Sequence, residues 1–263
     1  MQQNIKAKDV LFPVKEVPAV GYPLDDNQDV TLLDNSGYKF IVREDTNDVL
    51  SCVTNNYKMV TNKQIMDKAG PVLKNQGAVL KDIRSFGNGS RTKWTYRFPD
   101  VKVFVDTGDY VNPQININNS YDGTSEVSAM GGAYRLLCEN GLIIGYSLSK
   151  QGSRHVVWNK SDDIAKLIDD VINKTRKVFD DDFPKMIEKE VKEKHVGKII
   201  EMFPGYTIEA MIQYMLAHKP KNYWDLLNAA TWTATHVMKR NSEATHKLEL
   251  KIFDTVKRFA AQA

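Results

Sequence analysis

Residues 91–98 read Arg-Thr-Lys-Trp-Thr-Tyr-Arg-Phe, and this stretch gives the clearest indication of the fold class. Because successive side chains of a β-strand point to opposite faces, a strand here carries Arg91, Lys93 and Arg97 on one face. The other face carries three aromatic side chains, those of Trp94, Tyr96 and Phe98. An aromatic face packs into a core while a cationic face meets solvent, which is typical of an antiparallel sheet covered on one side.

Strand-like sequence continues on both sides of this stretch. Upstream, alternating and β-branched residues predict a hairpin of strands 38–44 and 49–60, joined by a turn at 45–48. Thr61 then offers an N-cap to a helix of about 63–75, which Gly70-Pro71 is expected to kink or split. Four further strands are predicted, at about 78–86, 101–105, 111–119 and 132–148, with hairpin turns at Gly87-Asn-Gly-Ser90 and at Asn140-Gly141.

Beyond residue 161 the apolar residues recur at helical spacing. One helix starts near Ser161, and four more are predicted, at 184–202, 207–218, 222–239 and 242–261. A chain in which the strands come first and the helices follow is typical of an α+β protein. We therefore predict an antiparallel sheet of about residues 38–148 packed against a C-terminal set of helices of about 161–261.

The N-terminal residues differ from the rest of the chain. Prolines at 13, 18 and 23 and a following group of aspartates predict an extended N-terminal arm over 1–35, either an ordered wrap or a loose tail. Residues 36–263 are predicted to form a single α+β domain around one core. Cys52 and Cys138 lie in apolar strand-like runs without metal-ligand spacing, so we expect two buried, reduced thiols.

Hydropathy bears on the location of the protein. No run of about 18 apolar residues is present, and the first ten residues lack the apolar segment of a secretory signal. A cytoplasmic protein without a membrane partner is expected.

The charge pattern of residues 81–97 is the main functional signal. The whole chain has a net charge of only +3. Residues 81–97, however, hold five cations and the single carboxylate Asp82; the cations are Lys81, Arg84, Arg91, Lys93 and Arg97. Cations on alternate strand residues are spaced about 7 Å apart, near the phosphate spacing of an extended nucleic-acid strand. This pattern indicates either a phosphate track or an ordinary strand with a solvated cationic face.

A second group of polar residues follows on the strand at 111–119 and in the turn after it. Asn116, Asn118, Ser120 and Asp122 are candidate ligand contacts, because a row of amides can hydrogen-bond a ligand. Such a row can equally satisfy neighbouring strands and turns, and both interpretations stay open.

Catalytic and metal signatures are weak. The five histidines are scattered, and no phosphate-binding or nucleophile-elbow glycine motif is present. Asp106, Asp109 and Asp122 are the one carboxylate group that a fold could gather around Mg²⁺, but we predict that they form no metal site. The stripe of Trp224, Leu227, Ala230 or Thr231, and Ala234 at helical spacing is interpreted as core. Neither a catalytic residue nor a cofactor is predicted.

Four segments resemble a known family. They are Tyr57-Lys-Met-Val-Thr61, Asp106-Thr-Gly-Asp109, Asn118-Asn-Ser-Tyr-Asp-Gly123 and Tyr134-Arg-Leu-Leu-Cys-Glu-Asn-Gly141. Over about residues 38–240 the chain is similar to the "phage/plasmid-like protein" family, a domain of unknown function of phages, prophages and plasmids. Arg135, from the last segment, joins the candidate nucleic-acid-binding residues. The order of a helix, several antiparallel strands and a long helix is also similar to the core of phage single-strand annealing proteins, by element order alone.

Together these features predict a non-enzymatic nucleic-acid-binding protein of a phage or mobile element, of the single-strand annealing or recombination type. The expected partner is nucleic acid, with single-stranded DNA favoured, and a homo-oligomer is possible. One alternative is a Mg²⁺-dependent enzyme of nucleic-acid metabolism. The other is an inhibitor of a host defence protein that binds no DNA.

Overall fold

The structure, a computed structural model, describes residues 6–20, 37–106, 109–125, 127–135, 141–143, 161–238 and 242–263. It is an α+β protein with antiparallel sheets and with its long helices in the C-terminal part. The predicted fold class is therefore confirmed.

A three-stranded antiparallel sheet includes part of the predicted N-terminal arm. Its strands are β1 (Val14–Pro18), β2 (Tyr38–Arg43) and β3 (Val49–Thr54), in the order β1-β2-β3. Val14 pairs with Arg43 and Pro18 with Lys39, so β1 lies along the whole length of β2. Val10 and Phe12, which precede β1, are buried. Within residues 6–20 the N-terminal segment is thus an ordered part of the fold.

The second sheet has six strands. They are β4 (Val79–Phe86), β5 (Arg91–Arg97), β6 (Val103–Asp106), β7 (Asp109–Ser120), β8 (Ser128–Arg135) and β9 (Gly141–Ile143). The strand order is β4-β5-β7-β8-β9, and β6 pairs with β7. The predicted segment 132–148 contains β9 and the end of β8, which pair antiparallel from Gly132–Ile143 to Tyr134–Gly141, in agreement with a hairpin there. The predicted turn residue Asn140 lies outside the described residues.

Seven α-helices lie within the described residues. They are α1 (Asn62–Asn75), α2 (Ser161–Lys177), α3 (Phe183–Glu188), α4 (Glu193–Ile200), α5 (Gly205–His218), α6 (Tyr223–Trp232) and α7 (Ser242–Ala261). Two π-helical turns, Val178–Asp182 and Thr233–Val237, follow α2 and α6 directly. The helix predicted over 184–202 is two shorter helices, α3 and α4, whereas the prediction for 242–261 matches α7.

Helix α1 begins with the predicted cap and is not split at Pro71. Thr61 Oγ1 accepts a hydrogen bond from the backbone N–H of Gln64, and Gln64 Oε1 accepts one from the N–H of Thr61. The helix runs on through Pro71 to Asn75. Ala69 and Leu73 are fully buried on either side of Pro71, and their burial holds both halves of the helix in the core.

The chain divides into two compact units. Unit 1 consists of Met1–Tyr96, Asn116–Ala129 and Ser147–Asp170, and unit 2 of Arg97–Ile115, Met130–Tyr146 and Val171–Ala263. The predicted single domain over 36–263 stays a prediction. Residues 149–160, where a linker would have contradicted it, lie outside the described residues.

Unit 1 contains a buried polar network centred on Asn62, the first residue of α1. Asn62 Nδ2 donates to the Val10 carbonyl (2.7 Å) and to Thr92 Oγ1 (3.1 Å). Asn62 Oδ1 accepts from Asn119 Nδ2 (2.7 Å), and the Asn62 backbone N–H donates to Tyr121 Oη (2.8 Å). One side chain therefore joins the N-terminal segment, α1, β5 and β7 inside a single unit.

Unit 2 is built around an aromatic and aliphatic core. Phe183 contacts Phe179 and Trp224, each with a ring-centroid distance of 4.8 Å, and also Phe253. Trp224, Leu227, Ala230 and Ala234 are all buried in this cluster, so the core interpretation of that helical stripe is confirmed.

Cys52 departs from the expected burial, because it is exposed. In β3 the neighbouring Val53 takes the buried face, and alternation then turns Cys52 outward. Cys138 lies outside the described residues. No helix among the described residues is long and apolar enough to cross a membrane.

Candidate nucleic-acid interface

Strand β5 has the predicted aromatic face, but its cationic face is open at one end only. Trp94 and Phe98 are buried, and Tyr96 is half-buried with its hydroxyl against Met66 Sδ of α1. On the other face Arg91 is exposed, while Lys93 and Arg97 are half-buried. The face therefore becomes less accessible along the strand, starting from Arg91.

Strand β4 contributes one of its two predicted cations to this face. Arg84 is exposed, and its Nε lies 2.8 Å from a carboxylate oxygen of Asp82. Lys81 is also exposed, but alternation places it on the face of the buried Ile83, opposite Arg84. Arg84, Arg91 and Lys93 thus share a surface in unit 1, hereafter the cationic face, and Lys81 does not belong to it.

The carboxylate beside Arg91 is Asp122. Their closest atoms, Arg91 Nε and Asp122 Oδ2, are 3.4 Å apart. Ser120 Oγ donates to Asp122 Oδ1 (2.9 Å), as do the backbone N–H and the hydroxyl of Thr124. Burial opposes ionisation, but these hydrogen bonds and the Arg91 charge outweigh it and lower the pKa of Asp122. Asp122 is an ionised turn residue with several partners besides Arg91.

Lys93 has cationic neighbours and little negative charge near it. Burial lowers the pKa of Lys93, and the nearby charge of Arg84 lowers it further, while Asp82 acts in the opposite direction. Within the part of the chain that the structure describes, no carboxylate forms an ion pair with Lys93. An anion bound here would relieve the repulsion between Lys93 and Arg84.

The glycine turn between β4 and β5 is filled by the chain itself. Gly89 has φ +101, and a Cβ at this position would lie 2.5 Å from the Phe12 ring. Arg43 donates from Nη1 to the Asn88 carbonyl (2.8 Å), and its guanidinium lies over the same ring at 3.7 Å. The close approach that this turn permits is therefore used by the N-terminal segment and β2.

The amide row on β7 makes mostly internal hydrogen bonds. Asn116 is buried and accepts from Thr95 Oγ1 (3.0 Å), and Asn118 Nδ2 donates to Ser128 Oγ (3.2 Å). Ser120 is fully buried. Asn116 Nδ2 is buried without a hydrogen-bond partner among the described residues. The row therefore stabilises the sheet, and this amide group is its one unsatisfied donor in the described chain.

The remaining predicted cations, Arg97 and Arg135, belong to unit 2. The guanidinium of Arg97 stacks on the Tyr134 ring, 3.3 Å from its centroid. Its Nε is buried and, among the described residues, has no hydrogen-bond acceptor. Arg135 is the last residue of β8, and its side chain lies outside what the structure describes. Arg97 is thus a packed side chain rather than an open cation.

The three aspartates considered for Mg²⁺ lie at the end of β6, at the start of β7 and in the turn after β7. Asp106 pairs with Asp109 across β6 and β7, and Asp122 is held by the hydroxyls described above. The side chains of Asp106 and Asp109 lie outside the described residues. In the described chain, no group of three or more His, Cys, Asp or Glu residues could hold a metal ion.

Two features of unit 2 were not found in the sequence. One is a row of four contacting rings, in the order His218, Tyr214, Trp232, His236, in which the first two contacts are stacked and the third is tilted. The other is Glu249, a buried carboxyl of α7 whose Oε1 lies 3.0 Å from Thr235 Oγ1. The rings form two i, i+4 pairs, a spacing visible in the sequence, whereas nothing in the sequence around Glu249 marks it as buried.

Comparison with known proteins identifies a family. The family model described as "Domain of unknown function (DUF932)" matches residues 49–252. This range contains β3 to β9, α1 to α6 and the cationic face. No curated protein and no solved structure matches the chain. The match covers most of the 263 residues, so the chain belongs to the DUF932 family of domains of unknown function.

Proposed function

We propose that this protein binds the phosphate backbone of a nucleic acid through the cationic face of unit 1. The observation that supports this most is Lys93. It is a half-buried cation next to Arg84, with no ion-pair partner in the described chain. A bound phosphate would supply the negative charge that pairs with Lys93. An extended nucleic-acid strand presents its phosphates at about the spacing of Arg91 and Lys93.

The biological setting is part of the same proposal. The resemblance to proteins of phages, prophages and plasmids favours a protein of a mobile element, acting in the cytoplasm of its host. The order of helix, antiparallel strands and long helix supports a strand-annealing role, with single-stranded DNA as the ligand and self-association along it. Binding in this role is stoichiometric and has no turnover.

The experiment is a salt titration of single-stranded DNA binding by fluorescence anisotropy. We expect the double variant Arg91→Gln/Lys93→Gln to lose two phosphate contacts. Each contact on a single strand contributes about 0.7 to the slope of log K against log salt, so the slope should fall by about 1.4. At 0.1 M salt this corresponds to a loss of affinity of about 25-fold. The loss should be equal for all base sequences, because backbone contacts carry no base information.

The matched control removes the same charge elsewhere in unit 1. Lys15 and Lys58 are exposed, and the variant Lys15→Gln/Lys58→Gln should bind DNA with an unchanged slope. Asp122 keeps its bonds from Ser120 and Thr124 when Arg91 is replaced, so the turn should persist. Identical affinity and slope in the Arg91/Lys93 variant and the unchanged protein would mean that this surface is an ordinary solvated sheet face.

A second candidate function, inhibition of a host protein, is favoured by one observation on α5. Tyr206 and Leu216 are 66% and 69% exposed, and Ile212 is 41% exposed. Exposed apolar side chains that form one patch on a helix are typical of a surface that binds a protein partner, and Ile212 and Leu216 are one helical turn apart. Purification of one host protein with this chain, together with absence of DNA binding, would favour this function.

A further inference from the structure

The ring stack of unit 2 forms a continuous ladder, hereafter the aromatic ladder. Its ring centroids are 3.9 Å apart for His218 and Tyr214, 4.5 Å for Tyr214 and Trp232, and 5.7 Å for Trp232 and His236. The planes are inclined by 18°, 24° and 37°. The first two contacts are near-parallel stacking, the geometry in which nucleic-acid bases contact aromatic side chains.

The ends of the aromatic ladder are accessible, although its middle is packed. Tyr214 and Trp232 are half-buried where α5 contacts α6, whereas His218 and His236 are exposed. His218 stacks on Tyr214, and His236 contacts Trp232 at a tilted angle, so each histidine has a ring face that contacts no other ring of the ladder. An inner pair that joins two helices explains Tyr214 and Trp232, but it gives no reason for a ring added at each exposed end.

A hydrogen bond to the backbone fixes the orientation of the His218 ring. His218 Nδ1 lies 2.8 Å from the Tyr214 carbonyl. A carbonyl only accepts hydrogen bonds, so Nδ1 carries the proton in this contact. His236 lies in the π-helical turn Thr233–Val237, and such turns are frequent at functional sites. Ring planes that are already fixed lose little conformational entropy when a flat ligand stacks on them.

The charges next to the ladder suit a polyanion. Lys219 follows His218 directly, with a left-handed backbone (φ 44) that ends α5, and Lys221 is two residues further on. Both lysines are exposed. Exposed stacking faces beside cations are the combination by which proteins bind single-stranded nucleic acids without sequence preference.

We propose that the aromatic ladder is a stacking surface for the unpaired bases of a single-stranded nucleic acid, with one base placed on His218 and another on His236. This inference rests on the proposed nucleic-acid binding and adds the ligand class, because the bases of a duplex are already stacked on each other. The cationic face contacts phosphates, and the ladder contacts bases.

The test compares two probes of equal length, an oligothymidylate and an abasic deoxyribose-phosphate oligomer. Both carry the same phosphates, and only the first carries bases. The unchanged protein should bind the oligothymidylate more tightly. In the variant His218→Ala/His236→Ala that affinity should fall about thirtyfold, from two stacking contacts at the weak end of the range for base stacking. Binding of the abasic oligomer should be unchanged.

A second variant separates stacking from structure. His218→Phe/His236→Phe keeps both ring faces and removes the hydrogen bond of His218 to the Tyr214 carbonyl, so it should retain the preference for the probe with bases. Both variants leave the Tyr214–Trp232 pair intact, and circular dichroism should show an unchanged helical content.

The outcomes distinguish the two proposals. Equal binding of the two probes by the unchanged protein overturns the stacking surface and leaves phosphate binding standing. Full oligothymidylate affinity in the alanine variant also overturns it. Binding of neither probe overturns both proposals.

Discussion

Replacement of Asn62 by Ala is expected to lower the free energy of unfolding by about 4 kcal/mol. The change removes both Nδ2 donors and the Oδ1 acceptor of a side chain that is fully buried. The Val10 carbonyl and the Asn119 amide each lose one partner, and a buried polar group left without its partner costs about 1–3 kcal/mol. The cavity left by the shorter side chain adds to this loss.

Urea unfolding, followed by intrinsic fluorescence, measures this effect. The matched control is Asn75→Ala, the same substitution at the exposed last residue of α1, which should change stability by no more than about 0.5 kcal/mol. Asn62→Asp keeps the acceptor for Asn119 but loses both donors, so it should also be strongly destabilised. Near-normal stability of both Asn62 variants would mean that water replaces the side chain and that the network contributes little.

The Asn62 network also bears on the candidate site. Thr92, which accepts from Asn62, lies between Arg91 and Lys93 on β5. Loss of the network therefore removes one of the contacts that fix the strand carrying the cationic face. Stability and nucleic-acid affinity are expected to fall together in Asn62→Ala, whereas Arg91→Gln/Lys93→Gln lowers affinity alone.

The alternation of β5 could be predicted from the sequence because it depends on the strand alone. Trp94 and Phe98 are buried, as a period of two requires. The decreasing accessibility from Arg91 to Arg97 could not be predicted, because it depends on neighbours that are distant in the sequence. Thr95 bonds to Asn116, and Arg97 stacks on Tyr134.

A kink or a split of α1 was expected at Gly70-Pro71, and the split does not occur, because the helix continues through Pro71. Proline removes one helical hydrogen bond and crowds the preceding turn, and sequence rules weigh only that local cost. Burial of Ala69 and Leu73 offsets it, and this burial comes from tertiary packing. The cap at Thr61, in contrast, is a local interaction between residues three apart and was predicted correctly.

The aromatic ladder could not be predicted from the sequence of either helix alone. The sequence contains both i, i+4 pairs, but each pair alone is an ordinary helical contact. The contact between Tyr214 and Trp232 joins α5 to α6, and it connects the two pairs into one row of four rings. The same limit applies to the π-helical turns, whose wider hydrogen-bond spacing has no residue signature of its own.

Stability should depend on pH through Glu249, a buried carboxyl of α7. Burial raises the pKa of Glu249 to about 7, against a hydrogen bond with Thr235 that lowers it. Thr235 Oγ1 lies 2.9 Å from the Thr231 carbonyl and 3.0 Å from Glu249 Oε1. The hydroxyl has one proton for these two acceptors. It donates to Glu249 when the carboxyl is ionised, and a protonated Glu249 can instead donate to Thr235, whose own proton then goes to the Thr231 carbonyl.

The sign of the effect follows from this raised pKa. A carboxyl whose pKa is higher in the folded than in the unfolded protein stabilises the fold below its unfolded pKa of about 4.5. That stability is lost as the pH rises through about 7. The difference between the two values corresponds to about 3 kcal/mol at pH 8.

His195 acts in the opposite direction. It is buried, stacked on Phe259 at 4.1 Å, with Nδ1 2.6 Å from Tyr223 Oη. Burial lowers the pKa of His195, and Lys194, Lys192 and Lys198 lower it further. Its contribution to stability is present above the unfolded value of 6.5 and is lost as the pH falls. The two groups change stability in opposite directions as the pH rises, so a variant is needed to separate them.

The variant Glu249→Gln separates the contribution of Glu249 to the pH dependence of stability from that of His195. Glutamine is neutral at every pH and can donate from Nε2 to Thr235, so the hydrogen-bond chain to Thr231 is kept. We expect this variant to match the unchanged protein at pH 4.5 and to be more stable by about 3 kcal/mol at pH 8, measured by urea unfolding. Glu209→Gln, on the exposed face of α5, removes the same charge and should give no such difference. Equal stability of Glu249→Gln and the unchanged protein at pH 8 would show that the carboxylate is solvated and ionises without cost in the folded protein.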